Sequence, residues 1–253
     1  MTVETLNQPD PGSVLVFAPH PDDEVIGCGG TLALHAAHGD RVHVAVVFDG
    51  AAGDPTGTWE PELLVRRRRD EALAGGRALA GTSLGFRYEF WGHAEGHEAS
   101  EREIEDAAAR MVRAAAETGA RTVYAPWAGD AHTDHRLVAR ALGRALASPD
   151  WPTTVESVWG FEVWTPLDPE RVIDIGRVIE NKRTALACHA TQSADFELER
   201  GDALTHRALG LGAYRSQHIG RRARYAEAFC RFEVQKSDTS SFVARGTSDG
   251  AVA

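Results

Sequence analysis

Three consecutive carboxylates, Asp22, Asp23 and Glu24, follow the proline-flanked His20 where an apolar run ends, in the segment Phe17-Ala-Pro-His-Pro-Asp-Asp-Glu24. About 110 residues later the same donor types return in Tyr124-Ala-Pro-Trp-Ala-Gly-Asp-Ala-His-Thr-Asp-His135, which presents His132, Asp134 and His135. Imidazole and carboxylate are the ligands of a catalytic Zn²⁺, which takes three from the protein and leaves a fourth position to water. His20, Asp23 and His135 can supply those three. An ion held in that way lowers the pKa of water from ~15.7 to roughly 7 and polarises a substrate carbonyl. Asp22, next to a ligand but on the other side of the turn, is placed to accept a proton. His132, held by Asp134 as an imidazolium, is placed to face the oxyanion of a tetrahedral intermediate. Metal, base and oxyanion donor together are what hydrolysis of an amide or ester needs.

These residues work only if regular elements carry them to one place. Ser13–Ala18 is a continuous β-type run, as expected of a strand buried on both faces. Val25–His38 reads as a helix stopped by Gly39, and Arg41–Phe48 as a second buried strand, which together make a βαβ unit. Residues 49–60 are rich in Gly, Pro and Asp and lie at the mouth of the second strand, a place for substrate contact. Downstream, the patterning predicts a helix from Pro61 to Ala80, a strand from Leu84 to Phe90, a helix from Glu101 to Glu117 and a strand from Thr122 to Ala125. A helix over 137–146, a strand over 155–163 and a helix over 175–190 complete the alternation. That order predicts an α/β fold, a Rossmann-like, mainly parallel sheet with helices on both faces. Leu198–Tyr214 is expected to be helical and Arg224–Phe229 to be a compact apolar element. Residues 1–12 are read as a flexible N-terminus, 13–235 as one domain and 236–253 as a disordered tail.

Bulk properties narrow the function. A net charge of −10 disfavours a nucleic-acid partner, and no apolar run is long enough to span a bilayer. Three widely spaced cysteines, Cys28, Cys188 and Cys230, make no disulfide framework, and the N-terminus lacks the regions of an export signal. A cytoplasmic protein acting on a small molecule is therefore expected, with homo-oligomerisation left open.

The motif pair carries a family resemblance. Ala18-Pro-His-Pro-Asp-Asp-Glu24 with His132-Thr-Asp-His135 resembles the PIG-L / LmbE-like zinc-dependent N-deacetylases. Agreement runs on through Gly27-Cys-Gly-Gly-Thr31, Arg68 with Glu71, Glu162-Val-Trp-Thr-Pro166, Lys182, Thr191-Gln192 and Tyr225-Ala-Glu-Ala-Phe229. The resemblance implies removal of acetyl groups from N-acetylated amino sugars or their conjugates. By position it implies zinc ligands at His20, Asp23 and His135, a general base at Asp22, and an intermediate-stabilising His132 oriented by Asp134. Arg68 and Asp49 are the expected substrate-binding residues. Two segments depart from the family pattern. Many members have Pro-Asp-Gly after the third strand, where this chain reads His93-Ala-Glu-Gly96, and the loop from Asp49 to Trp59 is its own.

Plainer readings stand beside these. The acidic turn can be an N-cap for the helix after it. Gly27-Cys-Gly-Gly30 resembles a nucleotide- or S-adenosylmethionine-binding loop, which would make the chain a transferase, yet prolines and carboxylates separate those glycines from their strand; close helix–sheet packing suits them better. An amidase acting on a larger acyl group is the nearer alternative. His93, His97, Glu95 and Glu98 read as a surface or substrate-side loop, His35 and His38 as an exposed helix face, and the cysteines as buried apolar groups.

Overall fold

The computed structural model describes residues 2–54, 56–96, 98–194, 204–220 and 222–232. The expected tail over 236–253, the first part of the helix expected from Leu198, and His97 lie outside the described residues. In chain order the elements are β1 (Glu4–Leu6), β2 (Val14–Ala18), α1 (Asp23–His38), β3 (Val42–Phe48), α2 (Pro61–Ala80), β4 (Phe86–His93), α3 (Glu101–Thr118) and β5 (Thr122–Pro126). They continue as α4 (Thr133–Leu146), β6 (Ser157–Phe161), β7 (Arg171–Asp174), a 3₁₀ turn (Gly176–Val178), α5 (Ile179–Cys188), α6 (Leu204–Arg215), a 3₁₀ turn (Ser216–His218) and β8 (Ala226–Arg231).

The strands form one eight-stranded sheet in the order β1-β7-β8-β6-β5-β2-β3-β4. Only β8 runs antiparallel, between β6 and β7. Alternation along β2 builds two cores. Val14, Val16 and Ala18 meet α1, α2 and α5 through Leu32, Leu79 and Leu186, whereas Leu15 and Phe17 face α3 and α4 through Met111 and Leu142. Both faces are therefore covered, which is why β2 is apolar at every position.

The glycines of α1 pack as close-contact positions. A Cβ at Gly27 would stand 2.2 Å from the Phe161 ring, and one at Gly30 would stand 2.7 Å from Ile175. α1 is kinked at Cys28, which frees backbone groups. Glu227 of β8 accepts the N–H groups of Gly30 and Thr31 at 2.8 and 2.7 Å, while Lys182 bonds the Ile26 carbonyl at 2.8 Å and Glu227 at 2.6 Å. A buried ion pair thus splices the broken helix.

Several elements differ from the sequence reading. Glu4–Leu6, inside the stretch expected to be flexible, pairs in parallel with β7, and Arg171 ties it down through Glu4 and Asp10, both at 2.7 Å. β7 was not expected. Four residues are too few to show a period. The expected helix over 175–190 begins instead with a 3₁₀ turn, and the compact element near residue 224 is the antiparallel strand β8. His35, expected on an exposed face, is fully buried, 2.7 Å from Asp40 and 3.3 Å from the Tyr124 hydroxyl.

Candidate metal centre and catalytic site

From β2 the chain winds outward through β3 and β4, then returns to place β5 on the other side of β2. Such a reversal opens a crevice at the carboxyl ends of the two strands, where open α/β sheets hold their ligands. His20 emerges just past β2. His132 caps the start of α4, just past β5, and Asp134 and His135 lie in its first turn. Two motifs 112 positions apart meet because their strands are neighbours.

Asp23 Oδ2 sits 3.1 Å from His20 Nδ1 and 3.1 Å from His135 Nε2. Ligand atoms around a tetrahedral ion at 2.0–2.2 Å are separated by roughly 3.3–3.6 Å, a spacing that both of these Asp23 contacts approach. His135 Nε2 is buried without a hydrogen-bond partner. A cation would satisfy it. The far sides of both imidazoles face carboxylates. His20 Nε2 lies 2.9 Å from Glu95 Oε2 and 3.3 Å from Asp134 Oδ2, and His135 Nδ1 lies 3.2 Å from Asp130 Oδ1 in poor hydrogen-bond alignment. Carboxylates behind metal-binding imidazoles set the tautomer and raise basicity. The donor set fits Zn²⁺. Among the described residues, the groupings that bring one donor atom each within 4.8 Å of one another are His20 with His132 and His135, and His20 with Glu95 and Asp134. Asp23 is favoured because one of its oxygens meets both ring nitrogens and its side chain is 2% exposed, against 42% for His132.

The electrostatics follow from this crowding. Burial alone would depress His20, yet Asp134, Asp23 and Glu95 hold it well above the ordinary imidazole value. Burial likewise opposes the charge on His135, but Asp23 and Asp130 outweigh it and push that group up to about 9. Burial works against the charge of Asp23 too, and His135 and His20 nonetheless keep it well below the usual carboxylate range. His132 moves the other way: burial and the neighbouring His135 and His20 lower it. Its Nδ1 accepts the Asp134 backbone N–H at 3.2 Å, leaving Nε2 as the donor. Burial and the two neighbouring imidazoles thus work against the expected imidazolium.

Asp134 does not orient His132 with its carboxylate, which stands 4.0 Å from His132 Nδ1 and turns to His20. Asp22 is the N-cap residue of α1, but its side chain makes no capping hydrogen bond. Helix capping therefore does not explain the acidic turn. The Asp22 carboxylate, 6% exposed, lies 3.4 Å from Arg68 Nη2. Arg68 is itself buried and donates to the Gly50 carbonyl at 3.0 Å, so its guanidinium braces Asp22 and the β3 exit loop from behind. Asp49 closes a local turn by accepting the Ala51 N–H at 3.0 Å. Glu24 is fully buried against the Tyr88 hydroxyl at 2.7 Å, and burial pushes it to about 8.

Two carboxylates were missed in the sequence. Asp130 accepts the His132 N–H at 2.9 Å with one oxygen, and the N–H groups of Trp164 and Thr165 at 2.9 and 3.3 Å with the other, joining the β5 and β6 exits behind His135. Its signal was an aspartate two residues before a histidine motif. Glu95 has a ligand's residue type, but the β4 exit carries no spacing that points to β2, so it reads as part of a surface or substrate-side loop.

Comparison with known proteins agrees with this geometry. The family model for PIG-L, described as GlcNAc-PI de-N-acetylase, matches residues 15–146, which carry both motifs. A 2'-N-acetylparomamine deacetylase from Streptomyces fradiae is 32% identical over 216 residues, covering 73% of this chain and 75% of the relative. Among solved structures, an N,N'-diacetylchitobiose deacetylase from Pyrococcus horikoshii superposes with a TM-score of 0.71 at 22% identity, covering 87% of this chain and 83% of its own. The 4-carboxy-2-hydroxymuconate hydratase GalB from Pseudomonas putida KT2440 also shares the fold, with a TM-score of 0.67 at 23% identity over 92% of this chain and 100% of its own. The fold alone therefore does not select the reaction. The sequence match does: this chain belongs to the PIG-L family of de-N-acetylases.

Proposed function

We propose that this chain is a Zn²⁺-dependent hydrolase that removes the acetyl group from an N-acetylated amino sugar or glycoconjugate, of the kind found in aminoglycoside or glycopeptide intermediates or thiol-sugars. The observation that carries the reading is the single Asp23 oxygen standing 3.1 Å from each of two imidazoles, beside an Asp22 carboxylate not used in capping. In this reading His20, Asp23 and His135 hold the ion. When bound, Zn²⁺ supplies an activated water and an electrophilic contact for the amide carbonyl. Asp22 accepts the proton released as water adds to the carbonyl carbon, and returns it to the nitrogen as the C–N bond breaks. The products are acetate and the free amine. The His132 Nε2–H donates to the carbonyl oxygen as charge builds there.

The substrate is a small molecule that enters the crevice between the β2 and β5 exits. The elements from β1 to β8 act as one catalytic domain in the cytoplasm; among the described residues no helix is long and apolar enough to cross a membrane. A nucleotide-binding transferase is disfavoured. The glycines it would use are already filled against Phe161 and Ile175.

The test is acetate release from a set of N-acetylated amino sugars, pseudodisaccharides and glycopeptide intermediates by the purified chain. Turnover should vanish with a chelator and return with Zn²⁺, and His135→Ala should hold no stoichiometric zinc. Release of a longer acid in preference to acetate, or zinc-independent turnover, would defeat the proposal.

A further inference from the structure

We infer that Glu95 is a positioning residue for the metal centre: beside Asp134, its carboxylate helps to hold His20 in the tautomer that offers Nδ1 to the cation, and straps the β3 exit loop across the site. The inference rests on the zinc reading given above.

An imidazole that gives Nδ1 to a metal carries its proton on Nε2, and that proton needs an acceptor. Asp134 Oδ2 is the aligned acceptor at 3.3 Å, and Glu95 Oε2 stands closer beside it, 2.9 Å from the same nitrogen. The Glu95 side chain is only 7% exposed, so it reaches inward from an otherwise open loop. Its other oxygen accepts the backbone N–H of Ala52. The same loop is held by Arg68 at the Gly50 carbonyl, 3.0 Å, and by Gln192 at the Gly53 carbonyl, 2.9 Å. Arg68 also reaches Asp22. The loop is thus tied to the proposed base by one side chain and to a proposed ligand by Glu95.

Length is part of the argument. Glu95 stands on the exit of β4, two strands from β2, and an aspartate there would end roughly one C–C bond, about 1.5 Å, short of His20. This gives the His93-Ala-Glu-Gly96 departure a physical meaning: the longer side chain is what spans the gap.

The experiment is zinc affinity, measured on the metal-free full chain by competition with a chromogenic chelator, for wild type, Glu95→Ala, Glu95→Asp and Glu95→Gln. Glu95→Ala and Glu95→Asp should bind Zn²⁺ about 10- to 100-fold more weakly, the range for losing an outer-shell partner. Glu95→Gln, which keeps the reach and one accepting oxygen for His20 but loses the acceptor for the Ala52 N–H, should recover part of the loss. Circular dichroism melts of the metal-free proteins separate this from unfolding, and the near-isosteric Gln variant keeps the comparison open if Ala misfolds. Unchanged zinc affinity with a raised KM for the acetylated sugar would overturn the inference and make Glu95 a substrate contact. Two zinc ions per wild-type chain, with one lost in Glu95→Ala, would also overturn it by making Glu95 a ligand. If wild type itself binds no zinc, the functional reading fails, a result distinct from a failure confined to the variants.

Discussion

Replacing Asp22 by Asn removes one proton acceptor and changes almost no volume. General-base catalysis is worth about 10²- to 10⁴-fold, so the zinc-loaded variant should lose that much kcat, or roughly 3–5 kcal/mol of barrier. Zinc content should stay at wild-type level, because the Asp22 carboxylate faces Arg68 and the ligand contacts run through Asp23. The substitution has one structural cost that can be anticipated. Arg68 is 3% exposed, and its other hydrogen bond among the described residues goes to the Gly50 carbonyl, so a buried cation loses a counter-charge. That costs about 1–3 kcal/mol of stability, equivalent to a fall in Tm of roughly 2–12 °C for a chain of this size. Both numbers matter, since a destabilised but folded enzyme at 25 °C cannot lose a hundredfold in rate by unfolding. The assay is initial acetate release per bound zinc, with metal content by emission spectroscopy and a melt on the same sample. Turnover within about tenfold of wild type at full zinc loading would refute the assignment of Asp22.

Asp130→Asn should weaken zinc binding by about 10- to 100-fold, since an amide has one accepting oxygen for three backbone N–H groups and loses the charge that faces His135; unchanged affinity in chelator competition would remove Asp130 from the support of His135. Gly27→Ala drives a methyl to 2.2 Å from Phe161 and should cost about 1–3 kcal/mol, read as a lowered Tm, and an unshifted melt would show slack where close packing is claimed.

Much of this protein is legible from local pattern. Buried parallel strands write themselves as continuous apolar runs, and the helices between them carry a visible period, so β2, β3, β5 and the order of the α/β alternation follow from residue types alone. The donor residues are also visible. His20, Asp22, Asp23, His132 and His135 are chemically unusual at strand exits, where folding gives little reason for them. Short elements are not legible in this way. β1 and β7 have three and four residues, and their pairing comes from backbone groups that every sequence possesses.

The supporting residues depend on distance in space. His35 has the sequence of an exposed helix position, and becomes buried because Asp40 and Tyr124 happen to receive it. Arg68 carries the charge of a substrate clamp, and only the packing of α2 against the β3 exit turns it inward to Asp22. Asp134 sits two residues from His132, yet its carboxylate turns toward His20, 114 residues away in sequence. Residue types and strand periodicity, which are local properties, determined the fold class and the candidate donor groups. Which carboxylate stands behind which imidazole was decided by the order of strands in the sheet, because a hydrogen bond depends on separation in space and the chain alone does not encode that separation locally.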